Sequence, residues 1–280
     1  MEETSHQDFD FYCETVYGNA FKIFNSLTPI LTDVNLLFTK EGIGMKKSNN
    51  AKTVLIDFIL HAKDFSTFYV NPTKGKVILG VKIQTLVTYL KAIEDNSIVK
   101  IYKKMNDDQF CIELDKTANK SSKTTLMQIR ILDVTEDEIQ LKELDYETSA
   151  SMNAKEFNNT IKNMASISKI LNLTLTDKSI IFETRDIEMS SGSRMTMFSH
   201  KSDDSELDSE SENDNDDDHG CLIDSSNFKV EHLLMIGKCT TNITSNITIS
   251  LKEDLPLLVK FPLSSLGEIS FIVARYNGDE

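Results

Sequence analysis

The chain has 280 residues, of which 40% are apolar, and its formal net charge is −14. That length suits one large domain or two of ordinary size, and the apolar share is sufficient for a hydrophobic core. The first residues contain neither a basic nor an apolar stretch, and no apolar run approaches the ~18 residues of a membrane span. Composition therefore argues against a secreted or membrane protein, and we expect an intracellular protein with no membrane partner.

The cysteines do not form a recognisable framework. Cys13, Cys111, Cys221 and Cys239 include no Cys-x-x-Cys pair, and no histidine lies at metal-ligand spacing from them. We therefore expect reduced thiols, no disulfides and no metal site. Phosphate-binding glycine loops, the serine-hydrolase motif and the zinc-protease motif do not occur either. The sequence thus predicts neither an enzyme nor a cofactor.

The first half is predicted to consist mainly of strands. Runs rich in Val, Ile, Phe and Thr are broken by turn residues such as Asn71-Pro72. The predicted strands are 10–17, 34–39, 43–48, 52–61, 66–71, 75–81, 98–104 and 109–114. Helices are predicted at 19–31 and 82–93, where apolar residues recur at spacings of three and four.

The stretch 134–147 separates the two halves. It is charged and has neither a helix stop nor a hairpin signal, so we predict an extended linker on which Ile139 and Leu141 stand exposed. A short amphipathic helix is the alternative. Beyond it the second half repeats the first, with helices predicted near 154–165 and 226–239.

Two pairs of segments indicate an internal repeat. Residues 37–45 match residues 174–182 at an offset of 137, and residues 81–91 match residues 228–238 at an offset of 147. The offset grows by ten in the interval that contains an acidic run. We therefore predict two copies of one unit, at 10–133 and 148–276, with an insertion in a loop of the second copy at 201–219.

The acidic run is DDSELDSESENDNDDD, at 203–218. It holds ten acidic residues and no basic one, and without it the formal net charge would be −4. With one apolar residue and no periodicity, it is expected to be a solvated loop. A docking tail or a kinase target is the alternative, because Ser205, Ser209 and Ser211 each have an acid three residues further on.

Positive charge concentrates on the predicted helices. Counted over 19–31, 82–93, 154–170 and 225–239, the four helical stretches hold two acids, Glu156 and Glu231, and eight lysines: Lys22, Lys82, Lys91, Lys155, Lys162, Lys169, Lys229 and Lys238. This segregation favours a basic surface that faces a polyanion, although a merely solvated face is the alternative. Because these stretches contain no arginine and no zinc-finger spacing, we predict phosphate contact without base reading, as on double-stranded DNA of any sequence.

Two stretches carry a resemblance to a known family. Residues 251–274, LKEDLPLLVKFPLSSLGEISFIVA, resemble the C-terminal pattern of the proliferating cell nuclear antigen family, and residues 11–22, FYCETVYGNAFK, are similar to its first strand and helix. The resemblance extends from about residue 10 to residue 276. It implies an α+β fold of two similar clamp-type domains, with helices lining an inner face and antiparallel sheets outside, that forms a ring of three identical chains.

The implied function is that of a DNA sliding clamp, a processivity factor. Such a ring encircles duplex DNA and tethers DNA polymerase and other replication and repair proteins after a clamp loader has closed it. Two alternatives stay open. The chain could be one subunit of a heterotrimeric checkpoint-type clamp, or a clamp-fold transcription or replication scaffold that does not encircle DNA. The expected location is the nucleus, or a cytoplasmic replication site for a viral protein.

The resemblance also implies two kinds of binding residue. A groove for short peptide motifs of replication proteins would use Ser48, Lys52, Leu55, Ile139, Leu141, Tyr146, Pro256, Ile272 and Ala274. Ser48, Lys52, Ile272 and the following Arg275 differ from the family's usual Met, His, aromatic residue and Pro, which indicates divergent partners. The subunit interface would use edge strands near 124–132 and 193–200, with Leu126, Gln128, Arg130, Arg194, Met195, Met197 and Phe198.

Overall fold

The computed structural model describes residues 6–94, 97–118, 121–135, 145–146, 148–186, 191–198, 221–240 and 243–278. Of the predicted linker 134–147 this set contains only 134–135 and 145–146. The predicted exposure of Ile139 and Leu141 and the predicted solvated acidic loop concern residues outside it. The chain divides into two compact units. Unit 1 is Met1–Leu141, Asn242–Thr244 and Lys260–Phe271, and unit 2 is Lys142–Thr241, Ser245–Val259 and Ile272–Glu280.

Unit 1 contains two antiparallel sheets. Its strands are β1 (Phe9–Thr15), β2 (Asp33–Thr39), β3 (Gly42–Ser48), β4 (Val54–His61), β5 (Thr67–Val70), β6 (Val77–Lys82), β7 (Ile98–Lys104), β8 (Gln109–Ala118) and β9 (Ser121–Arg130). One sheet has the order β5-β1-β7-β8-β9, and the other contains the neighbours β4-β3-β2-β6. The helices are α1 (Ile23–Leu27) and α2 (Ile83–Leu90).

Aromatic side chains fill the core of unit 1. Phe11 of β1 and Phe38 of β2 come from different sheets, and their stacked rings lie 3.9 Å apart between centroids. The ring of Phe24 in α1 lies 5.2 Å from that of Phe58 in β4. All four side chains are buried. These contacts hold the two sheets of unit 1 together and pack α1 against the second sheet, since aromatic side chains bury large apolar areas.

Unit 2 repeats this pattern. Its elements are β10 (Ser149–Asn153), α3 (Ala154–Ala165), β11 (Ile170–Thr176), β12 (Ser179–Asp186), β13 (Ser191–Phe198), β14 (Leu222–Lys229), α4 (Val230–Thr240) and β15 (Asn246–Ser250). The sheet order β13-β12-β11-β14 corresponds to β4-β3-β2-β6 of unit 1, and β10 pairs with β15. Two further strands, β16 (Leu257–Leu263) and β17 (Gly267–Val273), are each divided between the units. The predicted α+β class with two similar halves is confirmed.

Helix α3 begins and ends where the sequence predicts. Asn153 precedes it in extended conformation, and its side-chain oxygen accepts hydrogen bonds from the backbone N–H groups of Lys155 (3.0 Å) and Glu156 (3.3 Å). A side chain that satisfies these first N–H groups defines the start of a helix.

Two predicted helices are wrong in part. Residues 19–31 form a 3₁₀ helix at Gly18–Lys22 followed by the short α1, which ends at Leu27. Pro29 contributes to this end, because proline has no backbone N–H with which to continue the helical hydrogen bonds. The predicted helix 226–239 begins only at Val230. Residues 226–229 belong to β14, in which buried and more exposed side chains alternate as a strand requires.

The cysteines show one clear difference in exposure. Cys13, Cys111 and Cys239 are buried, Cys221 is exposed, and none of the four forms a disulfide. Burial raises the pKa of the Cys239 thiol to about 12. Within the described ranges, no helix is long and apolar enough to cross a membrane.

Candidate functional site

The predicted DNA-facing lysines of unit 1 lie at the ends of its helices. Lys22 ends the 3₁₀ helix, Lys82 immediately precedes α2, and Lys91 immediately follows it; all three are exposed. Lys22 and Lys91 both line one cavity of about 200 Å³, together with Asn25 and the apolar side chains at 87, 90 and 93. The fold thus brings two of the three lysines to one place on the helical side of unit 1.

The predicted lysines of unit 2 lie on or beside α3 and α4. Lys155 and Lys162 are exposed on α3 and stand seven residues apart, so they project from the same side of the helix. Lys238 is exposed in the last turn of α4, where a cation interacts favourably with the helix dipole. Lys169 is also exposed. Lys229 differs, because it is half-buried and its Nζ lies 6.0 Å from the ring centroid of Tyr276.

Three of the predicted peptide-groove residues lie around the turn between β3 and β4 in unit 1. Ser48 pairs with Leu55 across these strands. In the turn itself, Asn49 accepts a hydrogen bond from the backbone N–H of Thr53 at 2.9 Å. Lys52 is exposed and has a φ of +54°, so the turn holds it in the left-handed conformation. Ile139 and Leu141 lie outside the described residues.

The remaining four groove residues belong to unit 2. The Tyr146 hydroxyl donates a hydrogen bond of 2.6 Å to the carbonyl of Pro256, so these two predicted residues are in contact. Burial raises the pKa of Tyr146 to about 12, so the hydroxyl remains a donor throughout the physiological range. Ile272 is buried at the end of β17 and Ala274 is exposed just beyond it.

Arg275 is fixed by contacts that the sequence does not reveal. Its guanidinium donates to the carbonyl of Leu255 (2.6 Å), to the carboxylate of Asp224 (2.6 Å) and to the hydroxyl of Ser226. All these groups belong to unit 2. The residue that departs from the family's usual proline therefore ties the chain after β17 to β14.

Both predicted interface strands occupy the edge of a sheet. In unit 1, β9 is the last strand, and its side chains Leu126, Gln128 and Arg130 are exposed, with Leu126 at 53%. In unit 2, β13 is the last strand. An edge strand presents unpaired backbone groups to which another chain can add.

The side chains of β13 are less uniform. Arg194 is exposed, Met197 is half-buried, and Met195 is 36% exposed while its sulfur accepts a hydrogen bond from the Thr160 hydroxyl of α3 at 3.0 Å. The side chain of Phe198 lies outside the described set, although its backbone pairs with Ser179. The interface role of both strands stays a prediction.

The beginning of the linker is attached to unit 1. Leu132 N–H donates to the carbonyl of Gly80 at 2.8 Å, and the Asn35 side-chain amide donates to the carbonyl of Val134 at 2.9 Å. A Cβ on Gly80 would lie 2.1 Å from the Leu132 carbonyl oxygen. Only glycine therefore allows the linker to come this close to β6, and this is a signal that sequence reasoning missed.

Family models match consecutive parts of the chain. The model of the N-terminal domain of proliferating cell nuclear antigen matches residues 17–139, and that of the C-terminal domain matches residues 140–276. The chain belongs to the proliferating cell nuclear antigen family. The two matches leave only the terminal residues uncovered, so the family assignment applies to both halves.

One viral and one eukaryotic relative are similar to this chain over nearly their full length. A probable DNA polymerase sliding clamp 1 of Paramecium bursaria Chlorella virus 1 is 25% identical over 271 residues, which cover 94% of this chain and 96% of that one. Proliferating cell nuclear antigen of Caenorhabditis elegans is 23% identical, with coverages of 94% and 95%. The crystal structure of this antigen from Entamoeba histolytica gives a TM-score of 0.76 at 15% identity, covering 96% of this chain and 99% of that chain, which establishes a shared fold.

Proposed function

We propose that this protein is a DNA sliding clamp, a processivity factor without enzymatic activity of its own. The observation that carries the proposal is the match of both family domains to one chain, joined with exposed lysines on the helices of both units. Its viral relative is named a probable DNA polymerase sliding clamp. A clamp formed by this chain would encircle duplex DNA and tether a DNA polymerase.

The charge distribution suits a clamp that slides. Ammonium groups attract phosphates at every position along DNA, whereas base contacts would stop the protein at particular sequences. A chain with a net charge of −14 binds DNA weakly through so few lysines. Encirclement by a ring of three chains, closed by a loader, would therefore hold the protein on DNA. Its place would be a site of DNA replication, in the nucleus or in a cytoplasmic viral centre.

A processivity assay tests the role of the lysines. Lys22, Lys91, Lys162 and Lys238 are all changed to Glu, and synthesis is measured on primed circular DNA with a polymerase and loader that accept the wild-type protein. The matched control changes Lys40, Lys63, Lys104 and Lys178 to Glu, which alters the net charge equally at exposed positions away from these helices. We expect product length to fall at least about tenfold in the first variant only. Equal processivity in both variants would refute the role of the helix lysines.

Solution mass tests the ring. The wild-type protein is expected at three times its chain mass of 31.7 kDa by light scattering. Leu126→Asp on β9 places a charge at the edge predicted to pair between chains, and it should yield monomers, whereas Leu222→Asp makes the same change at another exposed position. A wild-type monomer at micromolar concentration would exclude the homotrimer and favour a heterotrimer subunit or a scaffold.

A further inference from the structure

A groove crosses the partly exposed face of the sheet β4-β3-β2-β6 in unit 1. Its volume is about 300 Å³, at the lower end of the range for ligand pockets. Four neighbouring strands contribute one residue each to its central row, since Leu37 pairs with both Ile78 and Gly44, and Gly44 pairs with Ile59. Cross-strand partners share a face of the sheet, so these side chains form one apolar row.

Gly44 creates a gap in this row. Its φ lies outside the left-handed region, so its backbone conformation does not require glycine. A Cβ added there would meet only the Phe58 carbonyl oxygen, at an ordinary distance of 3.9 Å. The missing side chain therefore leaves open space between Leu37 and Ile59, both of which line the groove. An apolar space of this kind fits an apolar side chain from outside.

Lysines flank the gap on both sides. Lys46 stands two residues after Gly44 on β3, and Lys76 stands two residues before Ile78, immediately ahead of β6. Because β3 and β6 both run antiparallel to β2, the two lysines lie on opposite sides of the apolar row. Their separation is about 13 Å along the strand direction, four residues at roughly 3.3 Å each, and about 10 Å across it, two strand spacings of roughly 4.8 Å. Asp57, which pairs with Lys46 at 3.2 Å, is the one acid among the described residues that line the groove.

We propose that this groove binds an extended, acidic peptide segment of a partner protein. One aliphatic side chain of the segment fills the gap at Gly44, and acidic residues two positions before and two positions after it pair with Lys46 and Lys76. In an extended peptide, side chains two positions apart share a face, and the two acids lie about 13 Å apart. None of the seven described residues predicted for the peptide groove lines this surface.

Fluorescence polarisation with two labelled peptides of identical composition tests this spacing. The first has the order Gly-Glu-Ser-Leu-Ser-Glu-Gly, which places both acids and the leucine on one face. The second has the order Gly-Ser-Glu-Leu-Glu-Ser-Gly, which turns the acids to the other face. We expect the first peptide to bind at least about tenfold more tightly. Equal affinities, or no binding of either peptide at millimolar concentration, would overturn the proposal.

Variants of the full chain test the site. Gly44→Leu fills the gap from within, and Lys46→Glu with Lys76→Glu reverses the flanking charge; each should weaken the first peptide at least about tenfold. Lys40→Glu alters the charge of a nearby lysine that does not line the groove, and Ala274→Glu alters the predicted peptide groove; both should bind like wild type. Circular dichroism and thermal midpoints establish that every variant is folded. A folded Gly44→Leu protein with wild-type affinity would contradict the proposal.

Discussion

Equivalent rows of side chains on the two units have opposite character. In unit 1 the row is Ile78, Leu37, Gly44 and Ile59, and the corresponding positions of unit 2 are Ser225, Thr174, Ile181 and Thr196. Unit 1 thus has apolar side chains around a gap. Unit 2 has hydroxyl groups around a filled position, because Ile181 is only 5% exposed and the Thr174 and Ser225 hydroxyls lie 2.8 Å apart.

The difference shows that the backbone pairing of the repeat serves the fold, whereas the side chains of the row are available to bind a partner. Both rows sit on strands in the same order, so the backbone hydrogen bonds do not require either set of side chains. In unit 2 the row is self-sufficient, since its apolar residue is buried and the Thr174 and Ser225 hydroxyls bond to one another. In unit 1 it is incomplete, which is the property expected of a surface that binds a partner.

The largest expected effect comes from exchanging the central residues of the rows. Ile181→Gly should lower the free energy of unfolding by about 4 kcal/mol, because a buried aliphatic side chain is lost and glycine weakens a strand. The reciprocal change, Gly44→Ile, should raise it by about 0.5 kcal/mol, because it reduces the conformational freedom of the unfolded chain and the new Cβ meets no close neighbour. Urea unfolding followed by circular dichroism measures both. Similar destabilisation by the two changes would show that the rows do not differ as described.

An intermediate effect concerns the first helices of the units. Asn153→Ala should cost about 1 kcal/mol, because the cap of α3 loses two hydrogen bonds from backbone N–H groups. In unit 1 the equivalent helix begins after Tyr17, whose side chain makes no capping hydrogen bond. Asn159→Ala, an exposed change within α3, is the control and should be neutral or slightly stabilising in the same urea titration. A neutral Asn153→Ala would mean that packing alone defines the start of α3.

The smallest expected effect depends on pH and is confined to unit 2. Burial lowers the pKa of His232 in α4, although Glu231 opposes the shift and Lys229 adds to it. The folded state therefore binds the proton less readily than the unfolded state, so stability should fall as pH drops below the usual value of about 6.5. The matching position of unit 1 is Thr85. His232→Thr should therefore reduce the loss of thermal midpoint between pH 7.5 and pH 5.5, and an unchanged loss would assign it to other groups.

Sequence patterns predict the elements better than they predict the surface. Residues 154–165 could be assigned because apolar residues recur there at helical spacing and because the second half repeats the first. The start of α4 was missed, although the repeat itself pairs Ile83, where α2 begins, with Val230, where α4 begins. A consistent use of the repeat would have corrected this boundary.

The candidate site depended more on the family resemblance and on register. The lysines could be found from charge alone, and the edges of β9 and β13 followed from the resemblance. The row around Gly44 could not, because it joins residues from β6, β2, β3 and β4 whose alignment exists only once the strands have paired. Arg275 was recognised as a departure from the family, but its partners Asp224 and Leu255 are distant in sequence.

The exposed Cys221 allows the protein to be labelled with a fluorophore and observed in solution. The other three thiols are buried, so a maleimide dye added at neutral pH should modify Cys221 alone in the native chain without any engineered substitution. Its position, just after the acidic run and immediately before β14, would place a fluorophore where partner engagement near that run changes the emission. The emission of a dye on Cys221 would therefore report the proposed loading and partner exchange in real time.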